Sequence, residues 1–279
     1  MNEKFFGSFR TIAALELPRT SMTPPFEGVL GECYSAVVGA DAHDLQWALD
    51  RLGSEAGTVL DLCCGGGRFL TEAVSAGHTV TGVDISQDML HAATRRMAST
   101  DLGIQSRARL LAGDALTLDL EETFDYVILG GLTITLFEAE ERAALLRTAA
   151  RHLKPGGQLL LDYSPVEDRQ EDHTGHFTVP VAIGDQRGFY DVGWSWRPNV
   201  RQSVTNTYCE LVDRHGVTDR YLSAFSFKLF TGAEMSAELQ VVGFEISQVS
   251  DVDQKPSSPD VVHDLPPLNL WLAAELTAA

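Results

Sequence analysis

Residues 58–70 read TVLDLCCGGGRFL: an apolar run that ends in an acid, crosses three glycines and restarts as a helix. Few local patterns restrict a fold as strongly. Glycine permits positive φ and lets the main chain press close to a ligand, so strand, glycine turn and helix together open a nucleotide-binding βαβ unit. The alternation then continues. HTVTGVDI predicts a strand and SQDMLHAATRRMAS a helix with Ser86 as its N-cap; ARLLAGD and FDYVILGG predict two more strands. EAEERAALLRTAARHL predicts a helix ended by KPGG, and GQLLLDY a further strand. Upstream, the spacing of AHDLQWALDRL predicts a helix over Ala42–Leu52, and Gly77 closes the helix that follows the glycine turn. Apolar strands alternating with helices argue for a parallel sheet covered on both faces.

The pattern changes between about Phe177 and Phe230. FTVPVAIG, GFYDVGWSWRP, VRQSVTNTYCELVDRHG and VTDRYLSAFSFKLF are rich in Val, Thr, Tyr, Phe and Trp and broken by turn residues. They predict an antiparallel meander inserted into the α/β layer. TGAEMSAELQVVG returns to helix, and FEISQVS and LNLWLAAEL read as two last strands joined by a Pro- and Asp-rich loop. The expected organisation is an irregular N-terminal cap or arm over 1–41, a core of 42–175 and 231–279, and an inserted antiparallel lid over 176–230. The fold class is α/β, with a doubly wound, mostly parallel seven-stranded sheet.

Two ligand classes use a glycine turn of this kind. A dinucleotide asks for G-x-G-x-x-G/A; from Gly65, Gly67 fits but Leu70 takes the third position, and no other register works. An NAD(P)-dependent oxidoreductase is the disfavoured alternative on that ground. The other pattern is an acid followed by alternating small residues, D-x-G-x-G-x-G, met here by Asp61, Cys63, Gly65 and Gly67. Cysteine carries a Cβ, so position 63 is expected at φ below zero.

With that pattern the chain resembles the class I S-adenosylmethionine-dependent methyltransferases, in architecture over residues 34–275. The resemblance implies S-adenosylmethionine as cofactor, and it implies roles in order along the chain. Asp61, Cys63, Gly65 and Gly67 form the turn. Asp84 in VTGVDIS accepts the ribose hydroxyls, with Ile85 and Met89 beside it. Asp114 and Ala115 in LLAGDAL meet the adenine, and the main chain at Leu129 and Gly130 faces the methionine moiety. The inserted sheet resembles the lid of small-molecule N-methyltransferases of the glycine and amino-sugar type, whose N-terminal Tyr closes over the cofactor; Tyr34 in ECYSAVVG matches it, which implies a cofactor-binding role. More loosely, DLCCGGGRFL and LGGLTITLF resemble methyltransferases of peptide natural-product pathways, including the daptide type that dimethylates a peptide amine.

The implied reaction is an in-line displacement at a sulfonium methyl, in which the protein mainly supplies proximity and orientation. An amine of a small molecule, natural product or modified ribosomal peptide is the expected acceptor; it needs to arrive neutral but needs no strong base. A hydroxyl acceptor is the alternative and would draw on a general base. Base candidates are His173 and His176, with Tyr163 and Asp162 at a strand end where open α/β sheets place ligands. A non-catalytic cofactor-binding sensor or scaffold is the remaining alternative. Trp194 with Trp196 and Phe225 with Phe227 alternate at strand spacing, so each pair shares a face, expected to be core packing or an aromatic wall for a cation.

Charge and cysteine usage narrow the partners. The formal net charge of -18 repels phosphate backbones, and the stretch after the fourth strand, LGGLTITL, lacks the [D/N]-P-P-[Y/F] motif of enzymes that methylate base amines. No nucleic-acid partner is expected; the acidity reads first as solubility, with attraction of a cationic substrate such as an amine as the functional alternative. The four cysteines, Cys33, Cys63, Cys64 and Cys209, lack metal-ligand spacing and read as buried, reduced thiols with no metal. Neither an apolar span nor a secretory leader is read in the sequence, so no membrane partner and a cytoplasmic location are expected.

Overall fold

The structure, a computed structural model, describes residues 4–38, 45–166, 171–251 and 270–277. In chain order its elements are α1 (Gly7–Ala14), β1 (Thr20–Met22), α2 (Gly28–Val38), α3 (Gln46–Leu52), β2 (Thr58–Leu62), α4 (Arg68–Ser75), β3 (Thr79–Asp84), α5 (Gln87–Met97), α6 (Leu102–Gln105) and β4 (Ala108–Ala112). They continue with β5 (Phe124–Leu129), α7 (Ala139–Arg151), β6 (Leu153–Tyr163), β7 (His173–Ile183), β8 (Gln186–Arg197), β9 (Gln202–Val212), β10 (Thr218–Lys228), α8 (Gly232–Val241), β11 (Phe244–Asp251) and β12 (Leu270–Leu276). By packing, the described residues divide into two compact units: 45–166, 228–251 and 270–277 in one, 4–38 and 171–227 in the other.

The first unit holds a seven-stranded sheet in the order β11-β12-β6-β5-β2-β3-β4. β12 runs antiparallel to both its neighbours, and the pairs from β6 across to β4 are parallel. Its central strands are apolar throughout because both faces are covered: Leu60, Leu62, Val127, Leu129, Leu159 and Leu161 belong to one core cluster, and Val59, Ile128 and Leu160 to another. Chain order reverses at β2, which lies between β3 and β5, so the crevice past its carboxyl end is the topological switch point where such sheets bind ligands. The buried Arg142 joins α7 to α8 through a two-pronged pair with Glu238, Nε to Oε2 at 2.8 Å and Nη2 to Oε1 at 2.5 Å, and lies 4.6 Å from the Phe230 ring centroid.

The second unit is built on a five-stranded sheet in the order β1-β10-β9-β8-β7. β7, β8 and β9 form the expected antiparallel meander with a regular register. The aromatic pairs behave as packing groups. Trp194 and Trp196 share a face and are buried, and Trp194 lies against Gly175, where an added Cβ would come within 2.2 Å of its indole. Phe225 meets Phe227 edge-on with centroids 5.4 Å apart and packs at a tilt against Phe26 at the same distance.

Several local expectations are corrected. The N-terminal 30 residues are not irregular: they carry α1, β1 and the start of α2, and β1 pairs parallel with β10, so the second sheet is not wholly antiparallel. β7 begins at His173, three residues before the expected lid boundary. The helix predicted over Ala42–Leu52 is α3, starting at Gln46, and positions 42–44 lie outside the described residues, as does the Pro- and Asp-rich loop. KPGG is not a free turn. It is a bulge within β6, where the pairing moves from Phe124–Leu153 to Tyr126–Gln158. Of the four cysteines, Cys63 is only partly covered. All four are free thiols, with Cys33 and Cys209 in sulfur contact at 3.4 Å.

At the end of the first sheet away from the crevice, Asp125 ties three strands together. Its Oδ2 accepts from Thr58 N–H at 2.8 Å and Thr58 Oγ1 at 2.7 Å, and its Oδ1 pairs with Lys154 Nζ at 2.9 Å. Burial pushes this carboxyl up, but the Thr58 and Lys154 hydrogen bonds outweigh it and hold it at about 2. A depressed folded value means that this stabilisation is present above the unfolded value and is lost as pH falls toward 2. Asp125→Ala is expected to cost roughly 1–2 kcal/mol in urea unfolding at pH 7, mostly from the Thr58 bonds, since half-exposed ion pairs contribute little. The deficit should shrink as the pH is lowered from 4 to 2.

Candidate active site

The crevice past β2 is shaped by one carboxylate. Asp84, last residue of β3, accepts from Gly65 N–H at 2.8 Å through Oδ2 and from Ser86 N–H at 2.8 Å through Oδ1. It thereby fixes the turn after β2 and the start of α5 together. Ser86 caps α5 as expected, its hydroxyl accepting from Met89 N–H at 3.3 Å. Burial raises the Asp84 carboxyl above its ordinary value, and the main-chain N–H groups of Ser86 and Gly65 oppose that shift. Arg96 of α5 reaches back to donate to the Gly66 carbonyl at 3.0 Å.

The glycines of the turn have separate reasons. Gly67, at φ +71°, faces α5 so closely that a Cβ would lie 2.8 Å from Ala93 Cβ; it is there so that two helices can approach. Gly65, at φ +53°, has nothing within 4 Å of where a Cβ would stand; it borders open space. Cys64 fills the volume over Gly82, whose added Cβ would come within 3.0 Å of Cys64 Sγ. Cys63 corrects the expectation of negative φ: it stands at φ +56°, in the left-handed region, as a glycine at that position would. The turn geometry, fixed on either side by Asp84 and by Cys64 N–H donating to the Val83 carbonyl at 3.0 Å, overrides the local preference, a strain of about 1–2 kcal/mol.

Asp61 is the most unusual group in the crevice. It is buried, and its Oδ2 has no hydrogen-bond partner. Burial, and then the nearby Asp84, push its carboxyl up to about 8. Cys63 is likewise pushed up, by burial and then by Asp84, Asp61 and Asp114, so its thiol stays protonated. These interactions show that Asp61, Cys63, Asp84 and Asp114 converge in one place.

The remaining predicted residues fall in two groups. Ile85 follows Asp84 and stands 74% exposed, an unusual posture for an isoleucine at a strand end; Met89 is buried in α5. Asp114 is exposed and accepts from Leu116 N–H at 2.9 Å, which turns the chain after β4 and leaves Ala115 buried. Leu129 is buried at the end of β5, and Gly130 passes the Trp271 ring so closely that an added Cβ would lie 3.3 Å from it, tighter than ordinary contact. Asp162, buried at the end of β6, accepts from Leu132 N–H at 2.8 Å and so shapes the loop after β5, a role that spacing did not reveal. Tyr163 is buried and stacked on Phe230, centroids 5.5 Å apart, as part of the core.

Tyr34, His173 and His176 belong to the second unit. Tyr34 lies on α2, edge-on to Phe26 at 5.1 Å. His173 and His176 are three residues apart on β7 and so face opposite sides of it; His176 is exposed, whereas His173 Nε2 is buried without a partner, as is Trp194 Nε1 on the same face.

Comparison with known proteins agrees with this geometry. Residues 59–157 match the family model described as a methyltransferase domain. The chain is 35% identical over 154 residues to a cypemycin N-terminal methyltransferase from Streptomyces sp, covering 55% of this chain and 60% of that protein. It is 35% identical over 106 residues to a demethylmenaquinone methyltransferase from Staphylococcus aureus strain MRSA252, covering 37% and 41% respectively. The chain thus spans 60% or less of the length of these curated relatives. Among solved structures, the sugar N-methyltransferase KedS8 from Streptoalloteichus sp superposes with a TM-score of 0.69 at 22% identity, covering 92% of this chain and 97% of that one, a likeness of fold.

The two glycines should separate by experiment. Gly67→Ala is expected to destabilise the protein by roughly 2–4 kcal/mol, combining left-handed strain with overlap against Ala93. Gly65→Ala should cost only about 1–2 kcal/mol, the strain alone. Denaturant unfolding of both variants checks the ranking. Residues 59–157 match the methyltransferase-domain family, and the sheet that carries them shares its fold with the class I methyltransferases.

Proposed function

We propose that this chain is an S-adenosylmethionine-dependent methyltransferase that acts on an amine of a small molecule, natural product or peptide. The observation that carries the reading is the buried, unpartnered oxygen of Asp61, in the turn whose Gly65, four residues on, borders open space. A buried carboxylate without a partner is costly, and it is expected where a ligand completes it. The residues fit the cofactor. Asp84 has further lone pairs for a diol, Asp61 suits a cationic amino group, exposed Ile85 offers an apolar surface for a flat base, with Asp114 and Ala115 just past the end of the neighbouring strand β4, and the main chain at Leu129 and Gly130 suits the methionine portion. When bound, S-adenosylmethionine supplies an electrophilic methyl on a sulfonium. The protein's own task is then orientation and exclusion of water.

The amine acceptor is supported by the names of the similar proteins, an N-terminal methyltransferase and a sugar N-methyltransferase, and by the net charge of -18, which attracts cations. In this reading residues 42–175 and 231–279, with Tyr34 of the cap over 1–41, bind the cofactor, and the insertion over 176–230 serves the acceptor. No described helix is long and apolar enough to cross a membrane, and four free thiols fit a cytoplasmic site of action. A hydroxyl acceptor is the second reading, favoured by the unpartnered Nε2 of His173. His173→Gln would then reduce kcat without weakening cofactor binding, whereas an amine acceptor predicts little change.

The cofactor assignment has a proton signature. With its carboxyl raised to about 8, Asp61 is mostly protonated at pH 7 in the free protein and ionises on meeting a cation. Calorimetric titration with S-adenosylmethionine at pH 7, in buffers of differing ionisation enthalpy, should show proton release, and Asp61→Asn should abolish it while weakening binding. A raised folded value also means that the stability tied to this proton is full below the unfolded value and is lost as pH rises through 8. Asp61→Asn should therefore raise the Tm of the free protein, more at pH 8 than at pH 5. Binding heat independent of the buffer, or proton release unchanged in the variant, would remove Asp61 from the site.

A further inference from the structure

Strand β1 stops for a chemical reason, and what it leaves behind has the form of a binding slot. In the parallel register of β1 with β10, Arg220 donates to the Arg19 carbonyl at 2.9 Å and Thr23 donates to the Leu222 carbonyl at 3.1 Å. Even-numbered residues of β10 therefore face β1. The next rung would need an N–H from residue 25 to reach the Ala224 carbonyl. Residues 24 and 25 are both proline, which has no N–H, so the ladder ends and the chain turns away. β10 itself runs on to Lys228. By the same parity, the Ala224 carbonyl and both main-chain groups of Ser226 face the edge that β1 has left, and among the described residues no strand pairs with β10 there. A cavity of about 480 Å³ occupies the fork, walled by Phe5, Met22, Pro24, Pro25 and Ala224, with Lys4 as the charged group.

We propose that this fork binds the acceptor as an extended peptide, which adds to β10 in line with β1 by donating an N–H to the Ala224 carbonyl and exchanging hydrogen bonds with Ser226. The proposal rests on the amine-methyltransferase reading and specifies its acceptor class. Only a peptide main chain offers N–H and C=O groups at strand spacing to such an edge. The walls are mostly apolar, with Thr23 and Ser223 as polar groups and Lys4 as the one cation, which suits a peptide's side chains and a carbonyl or carboxylate, but not the diphosphate of a nucleotide-linked sugar. A second copy of the chain is a poor occupant. Two edge residues at the bottom of a fork fall far short of the roughly 1,200 Å² that a stable pairing of proteins buries.

The test uses the intact protein and a pool of hexapeptides with free N-termini and a fluorescein at the C-terminus, read by fluorescence anisotropy. The tightest binder is then resynthesised with each amide N-methylated in turn. The expected result is a loss of binding with a period of two along the peptide, because an added strand uses alternate N–H groups. Ser226→Pro, which removes an edge N–H at a position where an edge strand tolerates proline, should weaken binding at least tenfold with Tm and S-adenosylmethionine affinity retained. Pro25→Ala, which restores the missing N–H and lets β1 extend over Ala224, should weaken it as well. Absence of any binder, or a binder indifferent both to N-methylation period and to Ser226→Pro, overturns the slot. Failure of the wider reading looks different: no heat on titration with S-adenosylmethionine. Cofactor binding with methyl transfer to an amino sugar and no peptide bound overturns the slot and leaves the methyltransferase standing.

Discussion

A single carboxylate organises the crevice past β2. Asp84 leaves β3 and divides its oxygens between the N–H of Gly65 and the N–H of Ser86. One bond fixes the glycine turn after β2, the other fixes the entry to α5, and Arg96 on α5 closes the loop through the Gly66 carbonyl. The turn so held forces Cys63 into the left-handed region and leaves Asp61 buried with an unpartnered oxygen. Neither feature is favourable in isolation. Both persist because the surrounding contacts determine them, which is how strain and unpaired polar groups come to mark functional places.

Elsewhere the fold is stabilised conventionally. The central strands of the seven-stranded sheet are apolar on both faces, and the polar ties sit at the margins: Asp125 with Thr58 and Lys154 at one end, Arg142 with Glu238 between α7 and α8. The second unit obeys different rules. Its sheet is assembled from the antiparallel insertion and a three-residue strand contributed by the N-terminus, and two consecutive prolines decide where that strand stops. A glycine opposite an indole, Gly175 under Trp194, shows the same economy of space in the meander.

Much of this could be read in advance, and the reason is local. Parallel strands buried on both faces are continuous apolar runs, helices between them keep a 3.6-residue period, and a turn that must reach a ligand needs small residues. Asp84, Gly65 and Ser86 announced themselves in that way. The misreadings were non-local. Cys63 could not be placed at positive φ from its own chemistry, because the constraint comes from Asp84, 21 residues on. KPGG has the composition of a turn and became a bulge because β5 was available to pair with it. The N-terminal segment looks irregular because β1 is three residues long and is a strand only in the presence of β10, some 200 positions later.

The sequence by itself determined the doubly wound sheet, its reversal point and the acid and glycines that meet there, because each depends on residues within one strand–turn–helix unit. Tertiary structure alone decided which oxygen of Asp61 goes without a partner, that Gly67 serves helix packing while Gly65 borders open space, that Asp162 shapes the loop after β5, and that His173 and His176 look in opposite directions. Those properties belong to neighbours brought together from distant parts of the chain, and pairing, burial and clash exist only once the neighbours are in place.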